Sequence, residues 1–121
     1  KTSGGKGYHV VIPFRTQITW KKFYKISEDI ANILVNTYPD IFTTNIRKEN
    51  RHNKIFIDYL RNQKGATSVA PYSIRLKKNA PVSMPIAWNE LDKIKPNEIT
   101  MDKAIQRLKK KDPWEDFFTS N

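Results

Sequence analysis

The chain has 121 residues, enough for one small domain with a core, and it contains no cysteine, which excludes disulfides, thiolate metal sites and cysteine nucleophiles. Its 22 basic and 12 acidic residues give a net charge of +10, which favours polyanionic partners, most commonly nucleic acid. No apolar run approaches the ~20 residues of a membrane span and no signal peptide is visible, so we expect a cytoplasmic protein without a membrane partner.

A glycine-rich turn opens the chain, with three glycines between Ser3 and His9. Glycine lets the backbone approach a ligand closely and lets N–H groups turn towards it. Ser3, Lys6 and His9 add a hydroxyl, an ammonium and an imidazole, a combination that suits a triphosphate tail. The turn is not a Walker A loop, because the paired Gly-Lys-Ser/Thr is absent. A histidine beside a strand is usually structural, so only its spacing from Ser3 and Lys6 favours a ligand role for His9.

The first half of the chain predicts a strand, a helix and a basic loop. Residues 10–14 form an apolar run that predicts a buried strand, with His9 at its entrance. Thr19 is a plausible N-cap for an amphipathic helix that runs to about Tyr38. The polar, basic stretch at residues 42–53 predicts irregular structure that faces solvent or a phosphate backbone.

Shorter elements follow in the second half. The pattern predicts strands at residues 55–60 and 72–76, an extended connector at 80–85 and one helical turn at 88–91. Thr100 can cap a last helix. Its predicted apolar face consists of Met101, Ala104, Ile105 and Leu108, and the aromatic residues Trp114, Phe117 and Phe118 are expected to fold back onto the body. The sequence therefore predicts a single α+β unit over residues 1–121.

Asp58 is the acid with the most unusual predicted position, because it shares one strand face with Phe56 and Leu60. A charged carboxylate there needs a metal, a cation or several hydrogen bonds to compensate it. A metal ligand is one interpretation. The other is an aspartate at a strand end, neutralised by Arg61 or bonded to backbone N–H groups. Arg61 and Arg75 carry guanidinium groups whose fork matches phosphate oxygens.

Partners for Asp58 are missing from the sequence. Two-metal phosphoryl or nucleotidyl transfer needs two or three converging carboxylates. Glu90 and Asp92 are two residues apart in a predicted helical turn, where this spacing would splay them, so we interpret them as surface charges.

Four segments resemble the polymerase domain of bacterial ATP-dependent DNA ligase D, a member of the archaeo-eukaryotic primase (primase-polymerase) superfamily. The matching segments are TSGGKGYH at residues 2–9, IDYLRN at 57–62, GATSVAPYSIR at 65–75 and APVSMPIAWNEL at 80–91. Together these segments and the intervals between them cover about three quarters of the chain. The stretch from Asp58 to Arg75 is long and specific.

The resemblance implies a catalytic core with an RRM-like antiparallel sheet packed by helices. It implies a nucleotidyltransferase that adds ribonucleotides or deoxynucleotides at DNA ends and 5′-phosphorylated gaps during non-homologous end joining. The implied cofactor is a divalent metal, Mn²⁺ or Mg²⁺, and the implied partners are nucleoside triphosphates, the end-binding protein Ku and a ligase domain of the same protein.

The resemblance also assigns site residues. Asp58 matches the catalytic metal ligand of the family's third motif, while Ser3 and His9 match the motif that contacts the nucleotide's phosphates. Arg61 and Arg75 match arginines near the triphosphate, and Lys6 lies inside a matched segment.

One departure from the family pattern is large. The first motif, a pair of aspartates two residues apart, is expected upstream of the glycine-rich turn and does not occur in this sequence. We therefore expect the chain to be the C-terminal part of the polymerase domain and to be inactive alone. The ending at residues 116–121 fits the terminus of those relatives in which this domain ends the polypeptide.

A second hypothesis remains, a non-catalytic module that binds single strands or DNA ends. It depends on basic clusters with aromatic residues nearby, which can bind a strand through phosphate contacts and stacking. The clusters are Lys21, Lys22 and Lys25, then residues 47–54, then Lys109, Lys110 and Lys111.

Overall fold

The structure, a computed structural model, describes residues 1–119; Ser120 and Asn121, part of the predicted chain ending, lie outside the described residues. Contacts divide the chain into two compact units, one formed by Lys1–Arg15 with the residues from Val69 onward, the other by Thr16–Ser68. Helices and short strands occur in both, which confirms the α+β class. The predicted membership of residues 1–121 in one polymerase domain stays a prediction.

The unit at Thr16–Ser68 begins with helix α1, Trp20–Thr37. Its predicted cap is confirmed, because Thr19 Oγ1 accepts a hydrogen bond from Lys22 N at 3.3 Å and satisfies an N–H group that has no partner within the helix. Ala31 is the buried residue of this helix. The predicted helix is confirmed to within one residue at its end.

Two short parallel strands follow in this unit, β1 at Phe42–Thr43 and β2 at Ile55–Phe56. The loop prediction for residues 42–53 missed β1, although most of that stretch is irregular apart from a 3-10 turn at Lys48–Asn50. Strand β2 is shorter than the predicted strand at residues 55–60. Regular pairing ends before Asp58, because the chain begins to turn there.

The other unit contains an antiparallel pair and a second helix. Strand β3, Ser73–Ile74, lies within the predicted strand at residues 72–76 and pairs with β4, Val82–Ser83. A 3-10 turn at Trp88–Glu90 confirms the predicted helical turn. Helix α2 is Met101–Arg107. The RRM-like sheet stays an expectation about a complete domain.

The core of this unit lies where the sequence predicted a connector. Val82, Met84 and Ile86 form one cluster with Ile99 and Ala104. The prolines on either side of β4, at positions 81 and 85, are fully buried. The prediction of an extended connector missed both β4 and the core, because proline usually interrupts a strand, whereas these two prolines pack as apolar side chains beside it.

The apolar run at residues 10–14 is not a buried strand. It has no regular secondary structure, and Val10 and Ile12 are 71% and 56% exposed. No strand within residues 1–119 pairs with it. A composition typical of a buried strand therefore does not produce one at residues 10–14.

Helix α2 buries less of its predicted face than expected. Ala104 is 7% exposed, whereas Ile105 and Leu108 are 52% and 64% exposed. Neither α1 nor α2, the helices of the described part of the chain, is long and apolar enough to cross a membrane. Beyond α2, Trp114 stacks on Phe117 with ring centroids 4.8 Å apart, and both rings are half-buried.

Candidate functional site

The glycine-rich turn is the loop of a small hairpin. Thr2 and Tyr8 form an antiparallel bridge. Lys1 and His9 exchange two backbone hydrogen bonds, each 2.9 Å long. The hairpin therefore places residues before and after the turn side by side, which fixes the ends of the loop.

Ser3 organises the inside of this loop. Its Oγ accepts hydrogen bonds from Gly5 N at 3.0 Å and from Gly7 N at 3.4 Å. Those two N–H groups therefore point at Ser3, and the expectation that the glycine N–H groups face a ligand is wrong for them. Because Oγ accepts twice, the group that Ser3 can offer a phosphate oxygen is its hydroxyl hydrogen.

Thr2 anchors the loop on the core strand β4. The residue is fully buried, and its Oγ1 accepts from Met84 N at 3.0 Å and donates to Val82 O at 3.2 Å. Its backbone also takes part, since Thr2 N donates to Met84 O at 2.9 Å and Ser83 Oγ donates to Thr2 O at 2.8 Å. The turn is therefore held by buried hydrogen bonds, which are costly to leave unmade.

Replacing Thr2 by valine tests this anchor. Thr2→Val keeps the shape but removes the side-chain oxygen that accepts from Met84 N, and we expect a loss of roughly 1–3 kcal/mol in the free energy of unfolding. Urea denaturation measures the loss, and hydrogen exchange at the Met84 amide locates it. Thr2→Ser keeps the hydroxyl, so its Met84 amide should stay protected. Equal Met84 exchange rates in the two variants would contradict the anchor.

Arg75 lies against the same loop. Gly4 has φ +66°, and a Cβ added to it would lie 2.5 Å from Arg75 Cγ and 3.4 Å from Pro81 O. A Cβ on Gly5 would lie 3.3 Å from Lys77 Nζ. The missing side chain at Gly4 is therefore what allows Arg75 to approach the loop, and the Lys77 ammonium lies beside Gly5.

His9 and Lys6 differ in their surroundings. Lys6 is exposed, whereas His9 is half-buried and its Nδ1 lies 3.0 Å from Lys1 Nζ. Lys1 is only 9% exposed, and burial, followed by the charge of Arg75, lowers the pKa of Lys1 to about 8. Lys1 was not identified from the sequence as a neighbour of His9. A hairpin register that pairs position 2 with 8 would also have paired Lys1 with His9.

Asp58 and Arg61 belong to the other unit. Asp58 is exposed and lies beyond the end of β2, so its predicted position on a buried strand face was wrong. Its Oδ1 accepts a hydrogen bond from Leu60 N at 3.2 Å, at the start of the turn after β2. Arg61 Nη1 donates to Thr67 O at 3.2 Å. No ion pair joins Asp58 to Arg61 in the described chain. Of the two interpretations of Asp58 that involve no metal, neutralisation by Arg61 and a hydrogen bond from a backbone N–H group, the structure shows the second.

A divalent ion would find one suitable ligand at Asp58. The carboxylate is exposed, and hard cations such as Mg²⁺ and Mn²⁺ prefer carboxylate oxygens. Among residues 1–119, however, no three or more His, Cys, Asp and Glu side chains come together as a metal site. Asp58 therefore fits as one ligand, and these residues by themselves form no complete ligand set.

Glu90 is more than a surface charge, so this prediction was wrong. It forms a bidentate pair with Arg107, with N–O distances of 2.9 and 2.8 Å, and accepts from Ala87 N at 2.8 Å. The hydrogen bonds from Arg107 lower the pKa of Glu90. The pair joins the 3-10 turn to α2, whereas Asp92 is exposed as predicted.

Members of each basic cluster are held by internal contacts. Lys25 Nζ lies 2.8 Å from Asp29 Oδ1, and Lys111 Nζ lies 3.3 Å from Glu115 Oε2. The Arg51 guanidinium stacks 3.9 Å from the centre of the Phe56 ring. The ion pairs of Lys25 and Lys111 reduce the positive charge that the first and third clusters present to a nucleic acid, whereas Arg51 keeps its charge and is held against the aromatic ring.

Comparison with known proteins identifies relatives of this chain. A family model, the primase-polymerase domain of LigD, matches residues 1–114. The chain is 38% identical to the multifunctional non-homologous end joining protein LigD of Pseudomonas aeruginosa, over 97% of this chain and 14% of that protein. It is 35% identical to the bifunctional LigD of Bacillus subtilis, over 98% of this chain and 20% of that protein.

A solved structure matches as well. The polymerase domain of Mycobacterium tuberculosis ligase D, in complex with DNA, superposes with a TM-score of 0.76 at 25% identity, covering 87% of this chain and 37% of that one. The chain thus spans about a seventh to a fifth of the length of the two curated relatives. The similarity includes both the glycine-rich hairpin and the segment that carries Asp58.

Proposed function

The chain belongs to the LigD primase-polymerase domain family, and from this membership we propose that it is part of a template-directed nucleotidyltransferase in bacterial non-homologous end joining. The substrates would be ribonucleoside or deoxynucleoside triphosphates and DNA ends or gaps with a 5′-phosphate. Ku and a ligase domain would be the protein partners, and Mn²⁺ or Mg²⁺ the metal.

The observation that carries the proposal is the close packing of Arg75 on the glycine-rich loop. No Cβ fits on Gly4 beneath Arg75, and Lys77 Nζ lies beside Gly5. The stem of Arg75 and the ammonium of Lys77 are thereby held against the loop that carries the Ser3 hydroxyl. Fixed cations beside a rigid loop suit a polyphosphate, because charged hydrogen bonds to phosphate are stronger than neutral ones.

In this proposal the protein residues mainly bind and orient. Ser3 would donate its hydroxyl hydrogen to a phosphate oxygen, and Arg75 would offset charge that develops on the triphosphate. His9 and Arg61 are proposed as further phosphate contacts, and Lys6 as a long-range cation. Asp58 would hold a divalent ion, which when bound supplies charge neutralisation at the reacting phosphate. Positioning and electrostatics account for most of the catalysis in phosphoryl transfer.

Loss of Arg75 tests this arrangement directly. We expect Arg75→Gln to weaken ATP binding by about tenfold to a hundredfold, since a hydrogen bond to a charged group is worth roughly 1.5–3 kcal/mol. Titration calorimetry with ATP and Mn²⁺ gives the affinity. Lys93→Gln removes one positive charge from an exposed position. This variant should keep its ATP affinity within about twofold of the wild-type value, because exposed charges are screened. Equal weakening in both variants would contradict a specific role for Arg75.

The alternative, a non-catalytic DNA-binding module, makes a different prediction. It would bind single strands with a strong salt dependence and with no effect of nucleotide or Mn²⁺. The ion pairs of Lys25 and Lys111 favour the nucleotide-site proposal over it. DNA affinity measured with and without ATP and Mn²⁺ separates the two.

A further inference from the structure

The β3–β4 loop, residues 75–81, carries an unusually exposed leucine. Leu76 is 105% exposed, the highest value among the large apolar side chains of residues 1–119. Single exposed leucines are common on protein surfaces, so exposure by itself assigns no role. The backbone, the charge and the position of this loop are what set Leu76 apart.

The backbone of the loop is fixed. Arg75 N donates to Pro81 O at 2.8 Å, and Ala80 N donates to Lys77 O at 2.9 Å. Pro81 is fully buried, which attaches the end of the loop to the core. Ala80 has φ +42°, a conformation that alanine keeps only where its surroundings impose it. The loop therefore presents its side chains from a defined backbone.

The surface around this loop is uniformly basic. Residues 1–15 and 69–89, which form the glycine-rich hairpin, β3 and β4, contain no acidic residue. Their cations are Lys1, Lys6, Arg15, Arg75, Lys77 and Lys78. Across residues 1–119, none of these six side chains takes part in an ion pair. This surface is thus complementary to a polyanion, unlike the clusters of Lys25 and Lys111, which pair with carboxylates.

The loop also lies against the candidate nucleotide site, since Arg75 packs on Gly4 and the Lys77 ammonium lies beside Gly5. Cations suffice for a triphosphate, whereas leucine offers it nothing. An apolar side chain flanked by cations instead suits the flat face of a base beside its phosphates, as in proteins that insert apolar wedges between base steps. Inside a duplex such a face opens only at the cost of unstacking, but at a DNA end the last base pair already has an open face.

We propose that the β3–β4 loop is a contact surface for DNA ends, in which Leu76 packs on the open face of the terminal base pair and Lys78 contacts a backbone phosphate next to it. This inference rests on the function proposed above, which supplies a DNA end as substrate. The phosphate contact holds the strand in place, and the leucine distinguishes an end from continuous duplex.

The first experiment compares two DNAs with the same duplex. One is a hairpin with a single blunt open end, and the other is a dumbbell in which both ends are closed by loops. We expect the wild-type chain to bind the open-ended hairpin about threefold to tenfold more tightly, the range for partial burial of one leucine. Fluorescence anisotropy at one fixed salt concentration measures both affinities. Equal affinities overturn the proposal.

Variants then test the cause of the preference. Leu76→Ser should bind the two DNAs equally, whereas Leu76→Met, which keeps an apolar side chain, should retain the preference. Leu108→Ser makes the same change at a leucine that is 64% exposed in the same unit, and it should also retain the preference. Circular dichroism checks that each variant is folded. A preference that persists in Leu76→Ser, or disappears in Leu108→Ser as well, overturns the role of Leu76.

The phosphate contact has its own measurement. Lys78→Gln should weaken both DNAs equally and lower the slope of log affinity against log salt by about 0.9, the value for one phosphate contact. An unchanged slope overturns the role of Lys78. Poly-glutamate tests the other occupant: binding as tight as that of the open-ended hairpin, and equally reduced in Leu76→Ser, would assign the loop to an acidic protein and overturn the DNA contact.

Calorimetry with ATP and Mn²⁺ separates this proposal from the proposed function. An open-end preference without ATP binding would support the role of the loop and contradict the nucleotide site. Binding of ATP without any binding of DNA would overturn the role of the loop and leave the nucleotide site standing. A chain that binds neither would contradict both.

Discussion

Asp58→Ala is expected to abolish nucleotide addition by the complete polymerase domain while leaving its fold intact. Loss of residues that merely orient metal ligands commonly costs 10-fold to 100-fold, so loss of the proposed ligand itself should cost at least about a hundredfold. Asp58 is exposed and makes one backbone contact, so the stability cost should be small. Extension of gapped DNA with a 5′-phosphate, in Mn²⁺ and ribonucleotides, measures the effect.

Asp58→Asn separates the two roles of this carboxylate. Asparagine keeps an oxygen that can accept from Leu60 N, and so keeps the turn after β2, but it removes the negative charge. We expect the asparagine variant to be nearly as inactive as the alanine variant and as stable as the wild type. Full activity in either variant would refute the metal assignment. Extension by the 121-residue chain alone that vanishes in Asp58→Ala would show that other acids complete its site.

The largest expected effect on stability is that of Gly4→Ala. Alanine at φ +66° costs about 1–2 kcal/mol, and the new Cβ would lie 2.5 Å from Arg75 Cγ. Overpacking of a tight contact costs a further 1–3 kcal/mol, so we expect a total loss of about 2–5 kcal/mol in the free energy of unfolding. Displacement of Arg75 should also weaken ATP binding. Urea denaturation and calorimetry measure the two effects.

Two other glycines separate the causes. Gly65 has φ +79° but nothing within 4 Å of an added Cβ, so Gly65→Ala isolates the backbone cost of about 1–2 kcal/mol. Gly7 has neither the unusual φ nor a close neighbour, so Gly7→Ala should change stability by less than about 0.5 kcal/mol. A Gly4→Ala loss no larger than that of Gly65→Ala would mean that Arg75 does not press on the loop.

Local signals allowed α1 to be predicted from the sequence. Thr19 caps its first turn through its own side chain, and the helix ends at Thr37, close to the predicted end. Caps and helical periodicity involve residues within a few positions of one another, so a single segment contains the information. The 3-10 turn at Trp88–Glu90, which was also predicted, likewise involves residues that are close together in the chain.

Strands and burial depended on distant residues and were predicted less well. The run at residues 10–14 has strand composition, yet none of the strands described within residues 1–119 pairs with it, and residues 80–85 hold the core despite two prolines. Composition cannot show which neighbour a strand will meet, since that neighbour is far away in the chain. The burial of Asp58 was mispredicted because the turn at Leu60 was not recognised.

The sequence predicted individual candidate site residues, but it did not predict which of them lie close together. Ser3, Lys6, His9 and Arg75 lie in one unit and Asp58 and Arg61 in the other, and their roles remain predictions. The sequence did not reveal that Arg75 packs on Gly4 or that Lys1 contacts His9. Arg75 and Gly4 are 71 positions apart, a separation that no motif spans, whereas the Lys1–His9 contact depends on a hairpin that was not predicted.

The hydrogen bonds of the glycine-rich hairpin also bear on how quickly a ligand can bind. Ser3, Gly5 and Gly7 satisfy one another, and Gly4 N donates to Pro96 O at 2.9 Å. A loop that is already folded loses little conformational entropy when it receives a ligand. We therefore expect triphosphate association to be governed by diffusional encounter and desolvation of the charged groups, with no slow ordering phase.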